Sequence, residues 1–161
     1  MFDKSPKLYQ GGKDVIENPY FNIKVNSDAE DFDLQDTFLT TIFLALLTDA
    51  RILDTEIPPD GSDDRRGWFG DELLDLETGS RAWAVSERAK MLPEEIEEIR
   101  GTYSEALDRQ IIQEGLADSF TINYTTNSSQ INWEIDIFID NTNSVTLSWI
   151  SLWDGSLVEV K

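Results

Sequence analysis

The chain has 161 residues, 32 of them acidic and 13 basic, a net charge of −19, and neither cysteine nor histidine. Thiolate chemistry, zinc–thiolate sites, disulfide scaffolds and Ser-His-Asp or Cys-His catalysis are thereby excluded. The acidity argues against nucleic acid and against an anionic membrane surface, which both need a basic face, and leaves solubility or a basic protein neighbour.

The first stretch, residues 1–19, carries lysines, a Gly-Gly pair and Pro19, and reads as a loose arm or an edge strand. It lacks the apolar segment of a signal peptide. The longest apolar run, "FLTTIFLALL", is too short to span a bilayer. A soluble chain made in a reducing cytoplasm is expected, with residues 20–161 as one domain. "YFNIKVN" (Tyr20–Asn26) alternates Phe21, Ile23 and Val25, a strand signal, and "SDAEDFD" is an acidic turn.

A first helix is expected from Asp33, which can cap it, with Asp36 in its first turn. Leu34, Phe38, Ile42 and Leu46 recur at four-residue steps, and Phe43, Leu44 and Leu47 widen the stripe. A helix apolar over most of its girth is either central or faces a partner, and the central reading is preferred. A long loop follows through Gly70, broken by Pro58-Pro59 and Asp60-Gly61. "SRAWAVSERAKM" predicts a second helix with Ala82, Val85 and Ala89 on one stripe and Trp83 beside it. Pro93 suits the first position of a third, which Ile96, Ile99, Tyr103, Leu107, Gln110 and Ile111 turn inward and Gly115 ends.

From Ser119 the period changes from 3.6 to 2. "SFTINYT" and "INWEIDIFID" alternate apolar and polar residues across a "TNSS" turn. After "NTNS", "VTLSWISLW" makes a last strand with Val145, Leu147, Trp149 and Trp153 on one face and Ile150 and Leu152 on the other. The predicted class is α+β: an N-terminal arm or short strand, three helices, then a three-stranded antiparallel meander.

Two segments invite a functional reading. The first is "PPDGSDDRRGWFGDELL" (Pro58–Leu74). Its acids lack the alternate spacing and distant bidentate Glu of a calcium loop, and its glycines lack the context of a phosphate loop. Carboxylate-pair hydrolysis needs no histidine, but so many acids always offer pairs. No metal or cofactor is expected. The bland reading is a connector in which Arg65 and Arg66 fork onto carboxylates or carbonyls. Asp63, Asp64 and Asp71 then supply partners, and Trp68 and Phe69 anchor the loop to the core. The alternative turns an arginine and an aromatic toward another chain. The second segment is the last strand. No Lys or Arg occurs from Ser119 to Val160, and "VTLSWISLW" carries no charge. Edge strands normally carry charge against unwanted pairing. Either another element covers this strand or a partner pairs with it.

These residues carry a resemblance. Leu47-Thr48-Asp49, Pro59-Asp60-Gly61, Asp64-Arg65-Arg66-Gly67-Trp68, Gly70-Asp71 and Gly79-Ser80-Arg81 with Trp83 resemble the baseplate protein family of Mu-like contractile-tailed phages. The likeness runs from about Leu34 to Ile139, and the Asp-Arg-Arg-Gly-Trp segment is its most specific part. That family looks like a divergent relative of the lysozyme-like sheath initiators. The present loop is longer than theirs, and "QEGLAD" (113–118) stands without Pro or Arg in place of their Glu-Pro-Arg motif. The resemblance implies a non-enzymatic virion part, assembled in the host cytoplasm and repeated around a sixfold baseplate. Its partners would be baseplate wedge proteins, the tail sheath protein and tube or hub proteins. Asp64, Arg65, Arg66, Trp68, Phe69 and Asp71 would meet a neighbour. Val145, Leu147, Trp149, Ile150, Leu152 and Trp153 would template the first sheath ring. Removing Val145–Lys161 should then leave a folded domain that no longer seeds a sheath. The competing readings are a carboxylate-based cell-wall hydrolase and an acidic regulator binding a basic host protein.

Overall fold

A computed structural model describes residues 14–17, 21–26, 36–88, 92–152 and 157–158. The chain divides into two compact units. One holds the strands, from the N-terminal segment and from Ala117 onward; the other holds the helices, Asp33–Leu116. The class is α+β, with helices and strands segregated along the chain as the change of period predicts.

The strand unit is one antiparallel sheet in the order β1-β2-β5-β4-β3. Its strands are β1 (Asp14–Glu17), β2 (Phe21–Asn26), β3 (Ser119–Asn127), β4 (Gln130–Phe138), β5 (Ser144–Leu152) and β6 (Leu157–Val158), the last beside β5. Register rows cross the strands. Tyr124, Trp133, Trp149 and Phe21 form one row; Ile122, Ile135, Leu147 and Ile23 form the next. Period-2 alternation places the described side chains of these rows on one face. Ile135, Ile137, Val145 and Leu147 are wholly buried, as are Trp133 and Trp149 almost completely. Each such side chain stabilises the fold by roughly 1.5–3 kcal/mol. The Trp133 and Trp149 rings stack at 6.2 Å, and the Trp133 indole N–H donates to the Ser151 hydroxyl at 3.0 Å. The β4–β5 turn is closed by Asp140, whose carboxylate accepts from the backbone N–H groups of Thr142 and Asn143, each at 2.8 Å. These bonds and those from the Asn143 amide and the Thr142 hydroxyl favour the ionised form. They hold the Asp140 carboxyl down to about 2, the Asn143 amide contributing most.

The last strand departs from one of its two sequence readings. β5 is internal: β4 runs along one edge over its whole length, and β2 then β6 occupy the other. Its lack of charge reflects that position, since a strand paired on both sides needs no edge protection. Truncation at Val145 would remove the strand that joins β2 to β4, so the expectation that the rest folds without it is corrected. Among the described residues the unpaired long edge belongs to β3.

The helical unit contains α1 (Asp36–Leu47), α2 (Asp71–Leu74), α3 (Ala82–Arg88) and α4 (Pro93–Leu107). Asp33, Leu34 and Ala89, assigned above to a cap and to stripes, lie outside the described residues, as does the acidic turn before Asp33. The hub of this unit is α4, which packs against both α1 and α3. Ile96, Ile99, Tyr103 and Leu107 are buried along it, and burial pushes the Tyr103 hydroxyl well above the usual phenol range. α1 buries Leu39, Ile42, Ala45 and Leu46 but leaves Leu44 and Leu47 exposed, so it is amphipathic rather than central. Past Leu107 the helix widens by one residue per turn, with Gln113 and Leu116 N–H groups donating to the carbonyls five residues back. Gly115 then ends it in the left-handed region, as expected.

Candidate functional site

The loop from Thr48 to Gly70 is irregular yet heavily bonded. It starts beside α3, where Asp49 and Ser80 form a parallel bridge. The Ala50 N–H donates to the Ser80 carbonyl at 3.0 Å, and the Ser80 N–H to the Thr48 carbonyl at 2.9 Å. Gly79 fits this crossing because a β-carbon there would lie 2.1 Å from the Thr48 carbonyl oxygen, and its φ of +94° disfavours any other residue. Its carbonyl accepts from Arg109 at 2.9 Å and from Gln110 at 3.2 Å, which ties the motif to the end of α4.

At the tip, side chains catch backbone donors at alternate residues. The Ser62 N–H donates to Asp60 (3.0 Å), the Asp64 N–H to the Ser62 hydroxyl (3.1 Å), and the Arg66 N–H to Asp64 (2.9 Å). Such local bonds are the reason Asp and Ser favour turns. The bonds from the Ser62 backbone and hydroxyl hold the Asp60 carboxyl below its ordinary value.

Both arginines are directed into their own unit. The Arg65 guanidinium donates to the carbonyls of Leu53, of Glu56 at 2.9 Å and of Asp54 at 3.1 Å. Arg66 bridges Asp49 and Glu87, each at 2.7 Å, and its guanidinium carbon sits 4.1 Å from the Trp83 ring centroid. Partial desolvation works against the charge on Arg66, but the bonds to Asp49 and Glu87 outweigh it and raise its pKa. Trp83 is fixed in turn by its indole N–H, which donates to the Ala50 carbonyl at 2.8 Å. Arg66 holds a positive φ of 52°, a conformation costing about 1–2 kcal/mol for a residue with a β-carbon. Its ion pairs and the stacked indole offset that cost.

Three expectations change here. The carboxylates that pair the arginines are not those nearest in sequence: Asp64 caps a backbone N–H, and Asp71 accepts from the Thr78 N–H at 3.0 Å. Both guanidinium groups make their contacts within the helical unit, Arg65 to three backbone carbonyls and Arg66 to two carboxylates. Trp68 and Phe69 do not anchor the loop to the core. Trp68 is 39% exposed and Phe69 81%, their rings 5.3 Å apart. Immediately beyond them α2, which sequence periodicity does not announce, exposes Leu73 (81%), Leu74 (59%) and, just past its end, Leu76 (56%). Five large apolar side chains in nine residues thus face outward on a strongly acidic chain. The signal that could have found them is the spacing of Phe69 and Leu73, four residues apart across a Gly-Asp helix start.

The second predicted surface behaves differently. Val145, Leu147 and Trp149 are buried and paired on both edges, so they offer no side chain or backbone edge to a partner. Ile150 and Leu152 are half-buried on the opposite, polar face, and Trp153 lies outside the described residues. Among the described residues no group of three or more acidic side chains is placed to hold a metal ion, and no helix is long and apolar enough to cross a membrane.

The family described as "Phage protein GP46" matches residues 38–144, a span that runs from within α1 through the loop, the other helices, β3 and β4 to the first residue of β5. The chain is 44% identical over 84 residues to "Baseplate protein gp46" of Escherichia phage Mu, covering 52% of this chain and 57% of that protein. It is 33% identical over 90 residues to "Mu-like prophage FluMu protein gp46" of Haemophilus influenzae, covering 55% and 58%. The chain therefore spans somewhat over half the length of the curated relatives it matches. No solved structure matches it.

Proposed function

This chain belongs to the phage protein GP46 family, and from that premise we propose that it is a structural, non-catalytic part of a contractile-tail baseplate. The observation that carries the reading is the loop: its arginines lock onto their own unit while Trp68, Phe69, Leu73, Leu74 and Leu76 stand in solvent. Clustered exposed apolar side chains on an otherwise charged surface mark a protein contact. The contact partner is a neighbouring baseplate wedge protein. The Mu relative's own description as a baseplate protein supports a place in the baseplate.

The strand-template role moves with the topology. β3 is nine residues long, contains no charged residue or proline, and has no strand on its outer edge among the described residues. That edge, rather than β5, is the place where a first sheath subunit adds a strand, since main-chain bonds set register.

The test is a tail preparation made with the Phe69→Ser, Leu73→Ser double variant. Both side chains are exposed, so the isolated protein keeps its thermal midpoint, while the chain disappears from purified tail particles by immunoblot. Normal incorporation would remove the loop from the baseplate interface. Clearing of peptidoglycan by the pure protein would overturn the non-catalytic assignment.

A further inference from the structure

The sheet carries a second candidate site, on the face opposite the buried aromatics and wholly within the strand unit. A cavity of about 310 Å³ lies there, lined by the polar Asn22, Asn123, Thr125, Asn132, Glu134 and Ser148 and by the apolar Ile150. Register explains its shape. Asn22, Ser148, Glu134 and Asn123 stand in one row, one residue per strand across β2, β5, β4 and β3. At about 4.8 Å per strand the row is roughly 14 Å long.

The neighbouring row is closed on itself: Asp136 accepts from the Thr146 hydroxyl at 2.5 Å and from the Thr121 hydroxyl at 3.5 Å. In the cavity row no hydrogen bond joins the side chains of Asn22, Asn123, Glu134 or Ser148 to another described residue. In the row beyond, the Asn132 amide donates to the Thr125 hydroxyl at 3.3 Å, which leaves its carbonyl oxygen as an acceptor. Among its described lining residues the cavity therefore offers a carboxylate flanked by amide and hydroxyl oxygens, with the apolar Ile150 beside them and no cation.

This chemistry selects its occupant. A phosphate or carboxylate would meet the like charge of Glu134. A saccharide usually stacks on an open aromatic face, but the aromatic residues bordering the cavity, Tyr124, Trp133 and Trp149, stand in the row that alternation turns to the opposite face. A guanidinium fits: it is a planar group of five donors that can fork onto Glu134 and reach the flanking carbonyls. We infer that this face of the sheet receives an arginine side chain presented by a partner protein, with Glu134 as its carboxylate and the Asn22, Asn123 and Asn132 amides as flanking acceptors. The net charge of −19 favours such a partner at a distance. The site stands apart from the apolar loop and does not depend on the baseplate reading.

The experiment is amide-resolved NMR on the full chain, titrated with N-acetylarginine amide and separately with a neutral disaccharide. With 32 acidic residues available, nonspecific attraction would spread shifts over many carboxylates. The expected result is a saturable set of shifts confined to the side-chain amides of Asn22, Asn123 and Asn132 and the backbone around Glu134. Glu134→Gln should weaken that binding by about tenfold, the loss of one charge-assisted contact, without moving the thermal midpoint. Shifts scattered over the surface, the absence of saturable shifts, an unchanged titration in Glu134→Gln, or localised shifts with the disaccharide would each overturn the assignment.

Discussion

The Arg66 guanidinium carbon sits over the Trp83 ring, 4.1 Å from its centroid, and joins the tip of the loop to α3. The same group holds Asp49 at the start of the loop and Glu87 on α3. One side chain thus ties three points of the helical unit. Arg66→Ala is expected to cost about 1–2 kcal/mol, combining partly exposed ion pairs with a cation–π contact. That corresponds to a fall of roughly 3–8 °C in thermal midpoint for a chain of this size. Arg66→Lys should recover less than half of the loss, because an ammonium cannot fork to two carboxylates and stack at once. Calorimetry at low and high salt separates the components: the ion-pair part shrinks with salt, and the stacking part persists.

Gly79 and Gly61 both have positive φ, but only Gly79 is crowded. Gly61→Ala is expected to cost about 1 kcal/mol from backbone strain alone. Gly79→Ala adds a collision with the Thr48 carbonyl and should cost about 3 kcal/mol or more. Urea midpoints of the two variants measure the difference; equal shifts would mean that the bridge between Asp49 and Ser80 gives way freely.

Asp140 makes a pH prediction with a defined sign. Its folded-state pKa is held down to about 2, below the usual carboxylate range, chiefly by the Asn143 amide. The stabilisation it provides is therefore fully present above about pH 4 and is lost as the pH falls toward 2. Asp140→Asn should lower the thermal midpoint at pH 6, and the gap between variant and parent should close over that acidic window. A gap that stays constant to pH 2 would show that the carboxylate charge contributes nothing to the turn.

Charging the edge of β3 tests the strand-addition proposal without disturbing the core. Ser119 and Thr121 are exposed, and Thr121 stands opposite Asp136 in register. Ser119→Lys with Thr121→Lys should leave stability unchanged within about 0.5 kcal/mol, helped by a cross-strand ion pair. The variant should assemble tails whose sheath fails to start. Electron micrographs showing full-length sheaths on those tails would reject β3 as the template.

Much of the fold is legible in the residues because periodicity is local. The alternation of Ile131, Trp133, Ile135 and Ile137 specifies β4, and the spacing of Ile96, Ile99, Tyr103 and Leu107 specifies the hub helix. What sequence does not carry is partner choice over distance. The pairing of β2 with β5 and the reach of Arg66 to Glu87 depend on tertiary closure, so nearby acids looked like better partners than they are. The charge-free run in β5 was ambiguous for the same reason: the strand that covers it lies at the other end of the chain. The exposure of Phe69 and Leu73 is hidden too, since an aromatic after a glycine reads equally well as an anchor or as a contact.

The place of β5 between β2 and β4 also orders events during synthesis. Ile23 has its register partner in Leu147, on the order of 120 residues later. At about 5–20 residues per second the first hairpin leaves the ribosome roughly 6–25 s before its neighbour exists. Most of the helical unit, Asp33–Leu116, is encoded between those two strands and can form in that interval. Closure of the sheet is then the late step, limited by loop closure rather than by local propensity. Until it happens, the hairpin of β1 and β2 and the meander of β3 to β5 each present an open edge, so correct assembly depends on their finding each other before either meets a second copy of the chain.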